Sequence, residues 1–121
     1  MFDLIFYEDK HGYCDVLEFI KDLDNKSKYS KDARIVRNKV IAYLDILEEM
    51  GTQAGMPVTR KLDKEIWELR PLSIRIMYAS LQGNQYLLLH HFVKKTQKTP
   101  KHEIELARRQ LADWTRRNRK L

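Results

Sequence analysis

The sequence predicts a small α+β domain in the order β-α-α-β-β-β-α, an antiparallel sheet core packed by two N-terminal helices and closed by a basic C-terminal helix. Three observations predict it. A short segment with an alternating apolar pattern opens the chain, and three strand candidates follow at close intervals between residues 65 and 93. Apolar residues at helical spacing occupy 16–23, 36–47 and 104–114. The length, 121 residues, suits one domain over residues 1–121 with a single core and no staples.

FDLIFYE, residues 2–8, alternates with Phe2, Leu4 and Phe6 on one side, which is a strand pattern. Asp15 and Glu18 stand at capping-box spacing, and Val16, Phe19, Ile20 and Leu23 form the stripe of a short helix. NKSKYSKD is a polar connector. From Ser30, a good N-cap type, a longer helix runs to Gly51, with Val36, Val40, Tyr43, Leu44 and Leu47 on its buried face. TQAGMPVTRK, residues 52–61, reads as a loop from its glycine and proline. Strands follow at 65–70, 73–81 and 85–93, the last two joined by the tight-hairpin signal Gly83-Asn84. Thr99-Pro100 opens the final helix, with Thr as N-cap and Pro at the first position. Ile104, Ala107, Leu111 and Trp114 give that helix its apolar side. The amphipathic helices are expected to cover one face of the sheet.

Composition narrows the function. No apolar run approaches the roughly 20 residues that cross a bilayer. The opening MFDLIFYEDK carries three acids and no basic n-region, so it does not read as a signal peptide. A single cysteine, Cys14, excludes an internal disulfide framework and fits a reducing, cytoplasmic setting. The net charge of +6 is unevenly placed. Residues 94–121 hold ten Lys/Arg against three Asp/Glu, whereas residues 1–93 hold thirteen against fourteen. Such asymmetry suggests a polyanion partner, most simply nucleic acid, although a solvated basic helix would give the same composition.

Candidate site residues lie on the three later strands. Arg70 ends the first, Arg75 sits inside the second, and Lys94 and Lys95 finish the third, with Lys98 close behind. An antiparallel meander brings these strand ends together, so the cations are expected to converge on one sheet edge. Guanidinium and ammonium groups around one point suit a phosphate. The alternative is that each pairs with a local acid such as Glu65 or Glu68. His90 and His91 alternate in direction, so only one of them shares a face with Lys95. Histidines in an apolar strand are more often packing residues than catalytic ones, and two adjacent ones make a poor metal site. No phosphate-cradling glycine loop and no ordered Ser or Cys nucleophile is evident.

The linked motifs IWELRPLSIRIMYAS and YLLLHHFVKKTQKTPKHEIELARRQ resemble the phage-derived, HigB-like branch of the RelE/ParE toxin superfamily. That branch is marked by an E-L-R strand, an R-I-x-Y strand and an apolar strand ending in F-x-K-K-T-x-K-T-P. Here these are Glu68 to Arg70, Arg75 to Tyr78 and Phe92 to Pro100, followed by the Glu103 to Arg109 helix pattern. The resemblance covers roughly residues 60–110 strongly.

The resemblance implies a RelE-like fold and the toxin of a type II toxin–antitoxin pair. It further implies a ribosome-dependent mRNA endoribonuclease, partnered by a HigA-like helix-turn-helix antitoxin, with no cofactor and no metal. In such chemistry the ribose 2′-hydroxyl attacks its adjacent phosphate, which needs a base, cations at the phosphoryl oxygens and an acid at the leaving oxygen. By motif, Arg70, Arg75, Lys94, Lys95 and Lys98 are the implied catalytic cations, and His91 joins them as a candidate for proton transfer. Arg108, Arg109, Arg116 and Arg117 on the last helix are candidates for RNA or ribosome contact.

Two departures leave the base open. RelE carries lysines on the strand equivalent to 65–70, where this chain has Ile66 and Glu68, and a tyrosine on its last helix, where 101–121 has none. A lysine, His90 or His91, and Tyr78 are the options, with a lysine or histidine favoured. A lysine can act as base only if its pKa is pulled down so that it is neutral, and neighbouring cations would do that. The other readings are a ParE-like toxin acting on a protein such as DNA gyrase, and a phage-derived protein that only binds nucleic acid through the last helix.

Overall fold

The computed structural model describes residues 1–119. Its elements are β1 (Asp3–Phe6), α1 (Asp15–Lys26), α2 (Lys31–Met50), a 3-10 turn (Gly51–Ala54), β2 (Thr59–Asp63), β3 (Ile66–Leu69), β4 (Ile74–Ser80), β5 (Gln85–Val93) and α3 (Lys101–Arg117).

Local chemistry sets several of the boundaries. The Ser30 hydroxyl accepts from the Ala33 amide at 3.1 Å and caps α2. Gly51 ends that helix with φ 63, and a Cβ there would lie 2.5 Å from Tyr86 Oη and 2.7 Å from the Phe2 ring. Only glycine tolerates both the left-handed turn and that approach. Asp15 does not cap its own helix. Its carboxylate accepts instead from the His91 amide at 2.9 Å. Thr99 likewise leaves the capping role, and Pro100 takes the N-cap position of α3 without a side-chain bond.

The α+β class and the sequence of expected elements hold, with three corrections. The segment read as a loop, 52–61, runs into β2, which pairs antiparallel with β3 and buries Thr59. Its lone apolar position, Leu62, offers no alternation, so its strand character comes from its partner. The sheet is mixed rather than wholly antiparallel: the order is β1-β5-β4-β3-β2, and β1 runs parallel to β5. Helices cover both faces, not one. On one face Val16, Leu23, Val40, Leu44 and Leu47 of α1 and α2 meet Leu69, Ile76, Tyr78 and Leu88. On the other, Ile104, Ala107, Leu111 and Trp114 of α3 lie over Met77, Ala79, Leu87 and Leu89. Strands buried on both sides need near-continuous apolar runs, and Tyr86-Leu87-Leu88-Leu89 is one. Among the described residues no helix is long and apolar enough to cross a membrane.

Candidate functional site

The site is set by which side of the sheet each strand residue faces. In β4, Ile74, Ile76 and Tyr78 point toward α1 and α2, so Arg75 and Met77 point toward α3. In β3 the same alternation puts Ile66 and Glu68 on the α3 side, with Arg70 next in phase. Arg60 of β2 stands opposite Glu68. Phe92 of β5 stands opposite Arg75. Beyond Phe92 the chain leaves the sheet as residues 94–100, crosses this end of the face and enters α3.

Arg75 is nearly enclosed, at 5% exposure. Its Nη1 donates to the carbonyls of Leu72 at 2.9 Å and Ile74 at 2.8 Å. Leu72 has φ 55, a left-handed conformation rare for a branched residue, and its carbonyl is held by that guanidinium. Burial first, and then the charge of Arg70, pull the Arg75 guanidinium below its ordinary pKa, with Glu68 opposing them. It stays a cation, because an arginine starts so far above neutrality.

Glu68 is completely buried and serves three neighbours. Its Oε1 accepts from the Thr99 hydroxyl at 2.6 Å. Its Oε2 lies 3.0 Å from Arg60 Nη2 and 3.3 Å from Arg70 Nε. Those two contacts are close in distance but poorly aligned, so Oε2, Arg60 Nε and Arg70 Nε lack a true hydrogen-bond partner. Arg70 is thus partly spent on a carboxylate, the alternative raised for it on sequence grounds.

Lys94, Lys95 and Lys98 line a narrow cleft with Arg75, Phe92, Thr99 and Pro100. An adjoining open hollow is lined by Leu72, Ser73, Lys94 and Lys95. None of these three lysines pairs with a carboxylate among the described residues. The strand ends therefore bring Arg60, Arg70, Arg75, Lys94, Lys95 and Lys98 into one neighbourhood around buried Glu68, with Glu103 and His102 bordering a hollow beside Lys95. The first turn of α3 opens directly after this loop, and its free amides add a partial positive charge there.

His91 is not part of this group. A bulge at the Met77/Tyr78 step leaves Leu89 without a partner and reverses the alternation of β5. Leu89 and His90 then both face α3, and His91 faces α1. There its Nδ1 lies 2.6 Å from Asp15 Oδ1, and its ring stacks on Phe19 with centroids 3.9 Å apart. His90 is buried under α3, 2.7 Å from Gln110 Oε1 and 3.0 Å from Glu103 Oε1. Tyr78 is buried on the α1–α2 face, bonded to Thr59 at 2.7 Å, and burial pushes its phenol up. All three residues are held in packing roles, apart from the loop lysines.

The arginines of α3 sit elsewhere. Arg108 pairs with Asp63. Arg116 and Arg117 both pair with Asp113, at 2.9 and 2.7 Å. Arg117 also donates to the Glu8 carbonyl and lies over the Tyr7 ring, 5.7 Å from its centroid. Arg109 borders a hollow with Tyr7, Asp9, Lys10 and His11. From Lys101 to Arg117 the helix rises roughly 24 Å, so its last turn is remote from the cleft.

Sequence reasoning missed Arg60, because its strand read as a loop, and missed Thr99 as a ligand of Glu68. The spacing of Glu68 and Arg70, two apart on a strand and hence on one face, was the available signal for their contact. A family model described as phage-derived protein Gp49-like (DUF891) matches residues 18–112. No curated protein matches the chain.

Proposed function

Because the chain belongs to the phage-derived Gp49-like family, a RelE-like toxin family, we propose that it is the toxin of a type II toxin–antitoxin pair, of HigB-like type. Its reaction in this reading is metal-free cleavage of mRNA on the ribosome. The observation that carries it is the set of cations between the ends of β3, β4 and β5 and the start of α3, with Glu68 as their one buried acid.

The ribose 2′-oxygen attacks the adjacent phosphorus, and the bond from phosphorus to the 5′-oxygen breaks. The products are a cyclic phosphate and a 5′-hydroxyl. Negative charge grows on the non-bridging oxygens, and in this reading Arg75 and Arg70 stabilise it. Arg75 arrives preorganised, since two carbonyls already hold its Nη1. One of Lys94, Lys95 and Lys98 takes the proton of the 2′-hydroxyl and another supplies one to the leaving oxygen. The partner protein in this reading is a HigA-like helix-turn-helix antitoxin. Arg108, Arg109, Arg116 and Arg117 contact ribosomal RNA, weakly, because Asp63 and Asp113 already balance much of their charge.

The test is to map cleavage on transcripts after induced expression, with and without active translation. Wild type is expected to cut only translated messages, and the Lys94→Ala/Lys95→Ala double variant to leave them intact while remaining folded. Growth arrest by wild type without any RNA cleavage would overturn this reading in favour of a ParE-like protein poison.

A further inference from the structure

We infer that Thr99 and Glu68 are positioning residues that hold the lysine-bearing loop 94–100 in its working place, an inference that rests on the nuclease reading above. The loop has few other anchors. Its start is fixed by the Lys94 amide, which donates to the Ser73 carbonyl at 2.7 Å. Within it, the Thr96 hydroxyl donates to the Lys98 carbonyl at 2.8 Å, a local bond that shapes the loop without attaching it. At its far end the side-chain attachment to the sheet is Thr99, which donates to buried Glu68 at 2.6 Å. Thr99 also accepts from Arg60 Nη2 at 3.4 Å, so the hydroxyl is gripped from β2 and β3 together.

The geometry makes this a device for placing charges. Lys95 and Lys98 lie between the two anchors and are exposed, so nothing but the loop's own path sets where their ammonium groups reach. Glu68 cannot be satisfied by water, because it is fully buried. A charge-assisted bond to a buried carboxylate is among the stronger kinds available to a hydroxyl. Releasing Thr99 frees the loop together with the entrance to α3, and a displacement on the order of 1 Å at reacting groups is enough to lower a rate steeply. Neither residue is required to touch RNA.

Two variants and two readouts test this. Thr99→Val keeps the shape and removes the hydroxyl, and Thr99→Ser restores it. Hydrogen exchange on the purified protein reads the loop directly. The amides of Lys94 and Glu103, which donate to the Ser73 and Pro100 carbonyls at the two ends of the loop, are expected to exchange about tenfold faster in Thr99→Val and as in wild type in Thr99→Ser. Cleavage of a translated message in a reconstituted system is expected to lose about tenfold in kcat for Thr99→Val, with KM within about twofold and recovery in Thr99→Ser. Unchanged exchange in Thr99→Val overturns the tether. Faster exchange with unchanged kcat overturns its positioning role. A wild type that cuts no message defeats the nuclease reading instead, and the exchange result still decides whether Thr99 holds the loop.

Discussion

The two ends of α3 carry similar numbers of cations and use them differently. At its C-terminal end, Asp113 alone holds Arg116, Arg117 and the Tyr7 hydroxyl, and Asp63 holds Arg108. At its N-terminal end, Lys94, Lys95 and Lys98 line the cleft without acid partners among the described residues, and Arg75 is bonded to carbonyls. Both regions contribute to the same formal charge. The first keeps less of its charge available for a ligand, since Arg108, Arg116 and Arg117 are paired and only Arg109 and Arg119 stay without an acid partner among the described residues, so the positive balance of the last 28 residues overstates what their helix offers.

The widest gap between the two ends is expected in activity. Lys94→Ala with Lys95→Ala should lower message cleavage about a hundredfold or more, a scale typical of removing preorganised charge at a transition state. Arg116→Ala with Arg117→Ala should stay within about threefold. Cleavage rates in a reconstituted translation system measure both, and a larger loss from the second pair would invert the comparison.

Stability separates the ends next. Glu68→Ala leaves Arg60 and Arg70 facing each other across a buried gap and should cost about 3 kcal/mol by urea denaturation. Asp113→Ala removes pairs that water screens and should cost clearly less.

A smaller effect concerns RNA binding. Arg109→Ala with Arg116→Ala should weaken ribosome association about threefold. It should also flatten the salt dependence by about one unit of log–log slope for each phosphate that these arginines neutralise in wild type. An unchanged slope would assign these arginines to intramolecular pairing alone.

The smallest effect is the most specific in pH. Arg117 first, then Tyr7, hold the Asp113 carboxyl at about 2, below its ordinary 3.8. A carboxyl with a depressed folded-state pKa stabilises the fold above its unfolded pKa and loses that contribution as pH falls through the folded one. Wild type should therefore lose a small increment of stability between about pH 4 and pH 2, and Asp113→Asn should lack that increment. Denaturation midpoints across this range provide the check.

Much of this architecture is legible in the chain because it rests on local rules. The Ser30 cap, the Gly51 stop, the Gly83-Asn84 hairpin and the three amphipathic helices each depend on neighbours a few residues away. The cationic residues of the cleft were legible for a related reason, since a meander returns its strand ends to one edge whatever its exact register. Residues 59–63 were not, because their strand state is imposed by pairing with β3.

The side chosen by each histidine shows the boundary most clearly. Alternation says that His90 and His91 face opposite ways, and that much follows from strand geometry alone. Which of them faces Arg75 depends on the bulge at Leu89, a mismatch between two strands that neither contains by itself. Burial of Glu68, its bond with Thr99 thirty-one residues later, and the capture of Arg117 by Asp113 and the Glu8 carbonyl are decisions of the same kind. Sequence determined the three helices, the other four strands and which residues can carry charge, through periods and caps read within one turn or one hairpin. Tertiary structure decided which charges remain free, because neutralising a cation takes an acid at about 3 Å, and that distance is set by packing rather than by order along the chain.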